Sequence, residues 1–389
     1  MHNRWGILAV LFTVRLSMSF QFQSVAAIAP LMQSEFHATA VDIGLLIGLY
    51  FTPGIALALP GGAIGQKFGD KATVLAALLL MFAGSLTMIF SGAWSGQIAG
   101  RLIGGAGGAM LTVQATKMVA DWFAGKEIAT AMAVYVVSWP AGIALSLLTL
   151  PAIGTAYGLR AVQYGVLIVI VLCAVLFIPG YRSPDNPIVV STAPASTRPD
   201  RRATAAVIMA GLIWGVFNVG FATIFSFGPL MLAGRGWSIS AAGSIISIVL
   251  WISVFAVPGG GVLADRSRRP QTVLVAAAIG GALLMLVFPR IEAVLPAAIA
   301  LGLVAALPAG PIMSLPARVL APATRSIGMG IFYTMYYGAM MLGPVAGGAV
   351  AKWAGNAGAA FDFGAAMMLV CPLLLWGFNA IAPAAAKTA

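Results

Sequence analysis

Gly261-Val262-Leu263-Ala264-Asp265-Arg266-Ser267-Arg268-Arg269 is a short charged turn set between two long apolar runs. A blurred echo of it reads Gly62-Ala63-Ile64-Gly65-Gln66-Lys67-Phe68-Gly69-Asp70-Lys71. The two copies start about half of the 389-residue chain apart, and each follows the second apolar run of its half. A repeat at that period means that one large unit is built twice. Paired homologous halves of apolar helices are the build of membrane proteins that rock around a central site.

Hydrophobic residues make up 61% of the chain and charged residues 8%, with a mean hydropathy of +1.00. So few charges give no way to cover the apolar surface in water, so that surface must face lipid. A spanning helix takes about 20 apolar residues. The apolar runs predict spans at 5–33, 41–62, 72–91, 95–118, 128–150, 159–180, 204–232, 240–263, 271–289, 295–316, 326–350 and 359–380. The fold class is therefore an all-α membrane protein, twelve transmembrane helices in two pseudo-symmetric six-helix bundles. The bundles cover 1–180 and 204–389. Residues 181–203 between them, with Pro184, Pro187, Pro194 and Pro199, read as a flexible linker.

The net charge of +11 is spread over many short loops and forms no cluster that would suit nucleic acid. Loops on the face of the amino terminus and linker collect fifteen of the 21 Lys and Arg. The opposite loops hold Arg160, Arg235, Arg290 and Lys352, and Arg15 and Arg101 lie within spans. The positive-inside rule then places both termini in the cytoplasm. Pro30 directly follows Ala27-Ile28-Ala29, and Arg15 interrupts the first run, so that run reads as an uncleaved helix.

Cys173 and Cys371 sit inside apolar runs and read as free thiols. His2 and His37 fall near opposite faces, so no metal site is expected. Gly104-Gly105-Ala106-Gly107-Gly108 lacks the Lys-Ser or Lys-Thr of a nucleotide loop. No cofactor is expected, and no nucleophile stands beside a base, so the chain is not read as an enzyme. Gly44 and Gly48, Gly100 and Gly104, and Gly343 and Gly347 stand four apart, a spacing that lets helix backbones approach in lipid. Pro344 beside Gly343 predicts a bend in the eleventh span, used either in packing or in gating.

Ionisable residues at membrane depth are functional candidates by default. Arg15 lies ten residues past Trp5, roughly 15 Å into the span at 1.5 Å per residue. With Ser19 and Gln23 it forms a polar stripe on one helix face. It serves either a substrate or backbone carbonyls. Arg101 heads a second stripe with Gln97 and Thr112, and is either site or scaffold. In the second half Asn218, Tyr333 and Tyr337 are the candidates. All ten acidic residues fall in loops or near span ends. The deep field is therefore purely positive.

The two charged loops resemble those of the major facilitator superfamily, which read Gly-x-x-x-Asp-Arg-x-Gly-Arg-Arg after the second and eighth spans. The second copy keeps Gly261, Asp265, Arg266, Arg268 and Arg269. The first keeps Gly62, Lys67 and Gly69 but has Gln66 for the usual Asp and Asp70 at a usually basic position. Arg101-Leu102-Ile103-Gly104-Gly105 and Asp121-Trp122-Phe123 are similar to further family features. Arg15, Pro30 and the 54–60 region look most like the bacterial cyanate-transporter-like branch, although Arg15 stands further from the proline than in that branch. The resemblance implies a secondary active or facilitative transporter working by alternating access. It also implies a lock in the outward-open state, with Asp265 against the start of the fifth span near Lys126, Ile128 and Ala129. Gln66 would then make only a neutral bond to the eleventh. The basic interior favours a small anion such as cyanate, nitrite or a small carboxylate, carried by a monomer. The alternative is a drug or metabolite exporter, which the Met and aromatic content allows.

Overall fold

The computed structural model describes residues 4–57, 68–123, 128–182, 199–320 and 324–382, and all regular structure among them is helical. The amino-terminal half comprises α1 (Arg4–Ala27), α2 (Ala29–Phe36), α3 (Ala40–Leu49), α4 (Thr52–Leu57), α5 (Asp70–Phe90), α6 (Trp94–Phe123) and α7 (Ile128–Gly180). The second half comprises α8 (Arg201–Gly234), α9 (Ile239–Ser267), α10 (Pro270–Val287), α11 (Val294–Ala305), α12 (Ala309–Met313), a 3-10 turn (Pro316–Arg318), α13 (Arg325–Trp353) and α14 (Ala359–Ile381). Nine segments among the described residues are long and apolar enough to span a bilayer. One of these, Val134–Gly180, is really two crossings. It reverses at Gly158, whose φ of 81° and ψ of 177° suit a residue with no Cβ. The more polar α6 and α13 complete the twelve crossings, six in each half.

Five of the expected spans depart from that reading in continuity or bounds. The first breaks at Ile28 (φ −120°, ψ 25°), because Pro30 has no N–H to give and suits only the first turn of α2. The second is interrupted at Tyr50 and Phe51, just before Pro53. The fifth and sixth run together across Gly158. The tenth divides into α11, α12 and a 3-10 turn where Pro308, Pro311 and Pro316 remove successive donors. Helix starts follow local chemistry where it exists. Thr39 and Asp42 form a reciprocal capping box at α3, with Asp42 Oδ2 accepting from Thr39 N at 2.7 Å. Asp200 caps α8 by accepting from Ala203 N at 2.6 Å.

The halves meet at the end remote from the linker. A Cβ on Gly44 would fall on the carbonyl oxygen of Pro344, one on Gly48 on that of Met341, and one on Gly348 on that of Ala40. Gly243 of α9 stands in the same relation to Leu147 of α7. Gln23 Nε2 donates to Phe225 O at 2.7 Å, and Ser247 Oγ donates to Ala144 O at 2.8 Å. Among the described residues, these two are the hydrogen bonds that cross between halves. The glycine pairs expected to bring helices together therefore do so between bundles, at Gly44 and Gly48, rather than only within one. The chain is closed on the face opposite its linker.

Candidate functional site

Arg15 lies in the middle of α1, half-buried, with its guanidinium 4.5 Å from the ring centre of Tyr135. Nη1 donates to Tyr135 O at 3.1 Å, while Nε is buried without a partner. The charge is held by a ring face and one carbonyl, and among the described residues no carboxylate neutralises it. Across from it, on α13, Tyr333, Tyr336 and Tyr337 all lie within its electrostatic reach. The α13 tyrosines touch the amino-terminal half at Phe51, through Tyr336 and Tyr337.

The other members of the first stripe have different partners. Ser19 is fully buried, and its Oγ donates to Leu16 O and Ser138 O, joining α1 to α7. Gln23 is equally buried and gives its amide to Phe225 O, leaving Oε1 unpartnered. In the second half Asn218 donates to Trp214 O one turn back on its own helix.

Arg101 is almost fully enclosed. Nε donates to Leu46 O at 2.9 Å, Nη1 to Gln21 O at 3.1 Å and Nη2 to Phe22 O at 2.9 Å. The guanidinium also lies 4.6 Å from the Tyr50 ring centre. Three nitrogens on three carbonyls tie α6 to α1 and α3, which is the work of a scaffold residue. Charge-assisted bonds of this kind keep their value where water is excluded. Arg101→Met is expected to lower stability by about 2–4 kcal/mol, because it strips these bonds from a buried place. A fall in melting temperature in detergent, with anion affinity per folded molecule unchanged, is the result to look for.

Further aromatic rings gather in both halves and meet between them. In the first half Phe22 stacks on Trp139 at 5.3 Å and touches Phe51 at 5.0 Å. In the second, Trp214 lies 6.1 Å from Tyr336, which meets Tyr333 at 6.4 Å. Phe51 joins the two sets through Tyr336 at 6.0 Å and Tyr337 at 6.3 Å. Trp139, Trp214, Tyr333 and Tyr336 keep part of their surface uncovered. Reading the sequence for charge missed Tyr135, Trp139, Phe51 and Tyr336. The crowding of tyrosines at 333, 336 and 337 is the one local signal that pointed to them.

Of the charged loops, Gly62, Gln66 and Lys67 lie outside the described residues, as do Lys126 and the side chains of Asp265 and Ile128. Gly69 starts α5 with φ of 82°. Asp70, the unexpected acid of the first copy, pairs with Lys117 of α6 at 3.0 Å, and Lys117 also meets Asp121 at 2.8 Å. Both bonds stay within the amino-terminal half. Gly261 lies in α9 against Gly310, and Arg266, Arg268 and Arg269 are exposed. Gly343 packs on Val219 of α8, while the Pro344 carbonyl meets Gly44 across the halves.

Two six-helix halves packed in this way have known counterparts. The sequence pattern of the Major Facilitator Superfamily matches residues 11–238 and again 203–388. The chain belongs to this superfamily. An uncharacterized transporter of Buchnera aphidicola subsp. Schizaphis graminum (strain Sg) is 26% identical over 116 residues, covering 30% of this chain and 29% of that relative. Among solved structures, a bacterial homolog of the human lysosomal transporter Spinster, inward-facing and unoccupied, matches 97% of this chain and 96% of its own at a TM-score of 0.72 and 16% identity. A peptide transporter in complex with alafosfalin matches 96% and 94%, at 0.74 and 14%. Identities this low speak for the fold alone. The chain has the membrane-spanning, helical build of that fold.

Proposed function

We propose that this superfamily member moves a small anion across the bacterial inner membrane by alternating access, as a monomer with its termini in the cytoplasm. The observation that carries this reading is Arg15, a mid-span cation that among the described residues has no carboxylate beside it and holds a buried Nε without a partner. A ligand carboxylate supplies both the missing acceptor and the missing charge. The rings of Phe22, Trp139, Trp214 and Tyr336, which cluster where the halves meet, favour an organic carboxylate with a flat or apolar body over an inorganic anion. Cationic drugs would need a deep acid, and the ten acidic residues all stand at span ends or in loops.

The test is a thermal-shift panel on purified protein, since a ligand that binds only the folded state raises its apparent stability. Monocarboxylates are expected to raise the melting temperature and quaternary ammonium compounds to leave it unchanged. The reverse pattern would favour the exporter reading. With no mid-span acid to carry a proton, counterflow exchange of labelled carboxylate in liposomes is expected to persist after the pH gradient is collapsed. Exchange that stops on adding a protonophore counts against this coupling.

A further inference from the structure

The arginines of the second charged loop are not used by the site around Arg15, nor by any contact between halves. Arg268 and Arg269 border a cleft of about 390 Å³, completed by Arg318 from the turn after α12. Arg268 sits in the left-handed region at φ 52°, so the chain turns sharply between α9 and α10. Arg318 lies 5.3 Å over the Phe378 ring of α14, which holds its guanidinium near the cleft. Among the described residues none of the three arginines is in an ion pair, whereas Lys117 and Arg290 both are. The lining is amphipathic. Ser314 and Gln271 stand with the arginines, and exposed Pro270, with Pro311 and the buried Leu274 and Leu315 beneath, forms an apolar floor.

We propose that this cleft binds the phosphodiester headgroup of an anionic phospholipid, with the start of its acyl chains on the apolar floor at Pro270. Three unpaired cations in one cleft call for an anion, and guanidinium forks match phosphate oxygens two at a time. The apolar floor separates a lipid from free phosphate, which gains nothing from it. The cleft lies at the linker end of the molecule, where Arg202 also meets the end of α14 through Ile381 O. In the orientation proposed above, that end faces the anionic cytoplasmic leaflet. The inference goes beyond the transport reading and does not depend on which substrate Arg15 receives.

Native mass spectrometry of the full chain, titrated with phosphatidylglycerol, phosphatidylcholine or inorganic phosphate, tests it. Phosphatidylglycerol is expected to be retained in preference to phosphatidylcholine. Arg268→Gln, Arg269→Gln and Arg318→Gln should each weaken phosphatidylglycerol about fivefold, and together roughly a hundredfold, from the attraction of one cation near an anionic surface. Arg182→Gln with Arg201→Gln removes charge from the same face outside the cleft, and should change affinity by no more than about twofold. All these side chains are exposed, and the lipid-free melting temperature of each variant reports that it folds. Equal losses in the control pair would show unspecific charge attraction and overturn the proposal. So would unchanged lipid affinity in the triple variant. Inorganic phosphate binding as tightly as phosphatidylglycerol, with the same sensitivity to the triple variant, would make free phosphate the occupant and overturn the lipid assignment.

Discussion

Arg15→Gln is expected to lower carboxylate affinity roughly thirty- to a hundredfold while the protein keeps its fold. The loss corresponds to about 2–3 kcal/mol for a charge-assisted contact in a partly desolvated place. Two observations set the expected size. Arg15 already gives Nη1 to Tyr135 O, so part of its donor capacity is spent inside the protein. Among the described residues its charge has no counter-ion, so the remaining donors are available to a ligand. Gln can keep the bond to Tyr135 O but brings no charge, and the melting temperature should move little. Arg15→Lys should retain part of the affinity, because the charge survives but the planar fork does not. Binding and melting temperature measured on one purified variant decide the matter. Unaltered carboxylate affinity in Arg15→Gln, with a large loss of stability, would make Arg15 a structural tie between α1 and α7 and remove the main support for an anionic substrate.

Gly48→Val is expected to abolish transport by preventing closure on the face opposite the linker. The Cβ and its two methyls would overlap the Met341 carbonyl, a rigid backbone group of the other half. Overpacking of this kind costs typically 1–3 kcal/mol, and here it falls only on the state in which α3 and α13 touch. In a two-state transporter whose conformations differ by a few kcal/mol, that shifts the population toward the open form by roughly tenfold to a hundredfold. Gly44→Val, against Pro344 O, should act alike, and the double variant more strongly. Gly259→Val is the matched control, since nothing lies within 4 Å of a Cβ there. Spin-label distances between the starts of α3 and α9 should lengthen in Gly48→Val and stay unchanged in Gly259→Val. Wild-type transport and distances in Gly48→Val would refute the seal.

Much of this molecule follows from composition and repetition. Low charge and high hydropathy dictate helices in lipid, because no other open structure satisfies its backbone there. The charged loops at Gly62 and Gly261 divide the chain into halves, and the depth of Arg15 and Arg101 follows from counting residues along a span. Residue spacing also places Ser19 and Gln23 on the same face as Arg15. What those polar groups face is another matter, because spacing along one helix says nothing of its neighbours. Only the packed structure gives Ser19 to Ser138 O, Gln23 to Phe225 O and all three Arg101 nitrogens to carbonyls, leaving Arg15 with an unpartnered Nε. It likewise gathers Trp139, Phe51, Trp214 and Tyr336 from four distant stretches, and sets Gly44 and Gly48 against the other half rather than their own. Local chemistry sets which segments enter the membrane and how deep each charge lies. Which polar group is spent on a carbonyl, and which stays open to a ligand, depends on the approach of helices far apart in the chain.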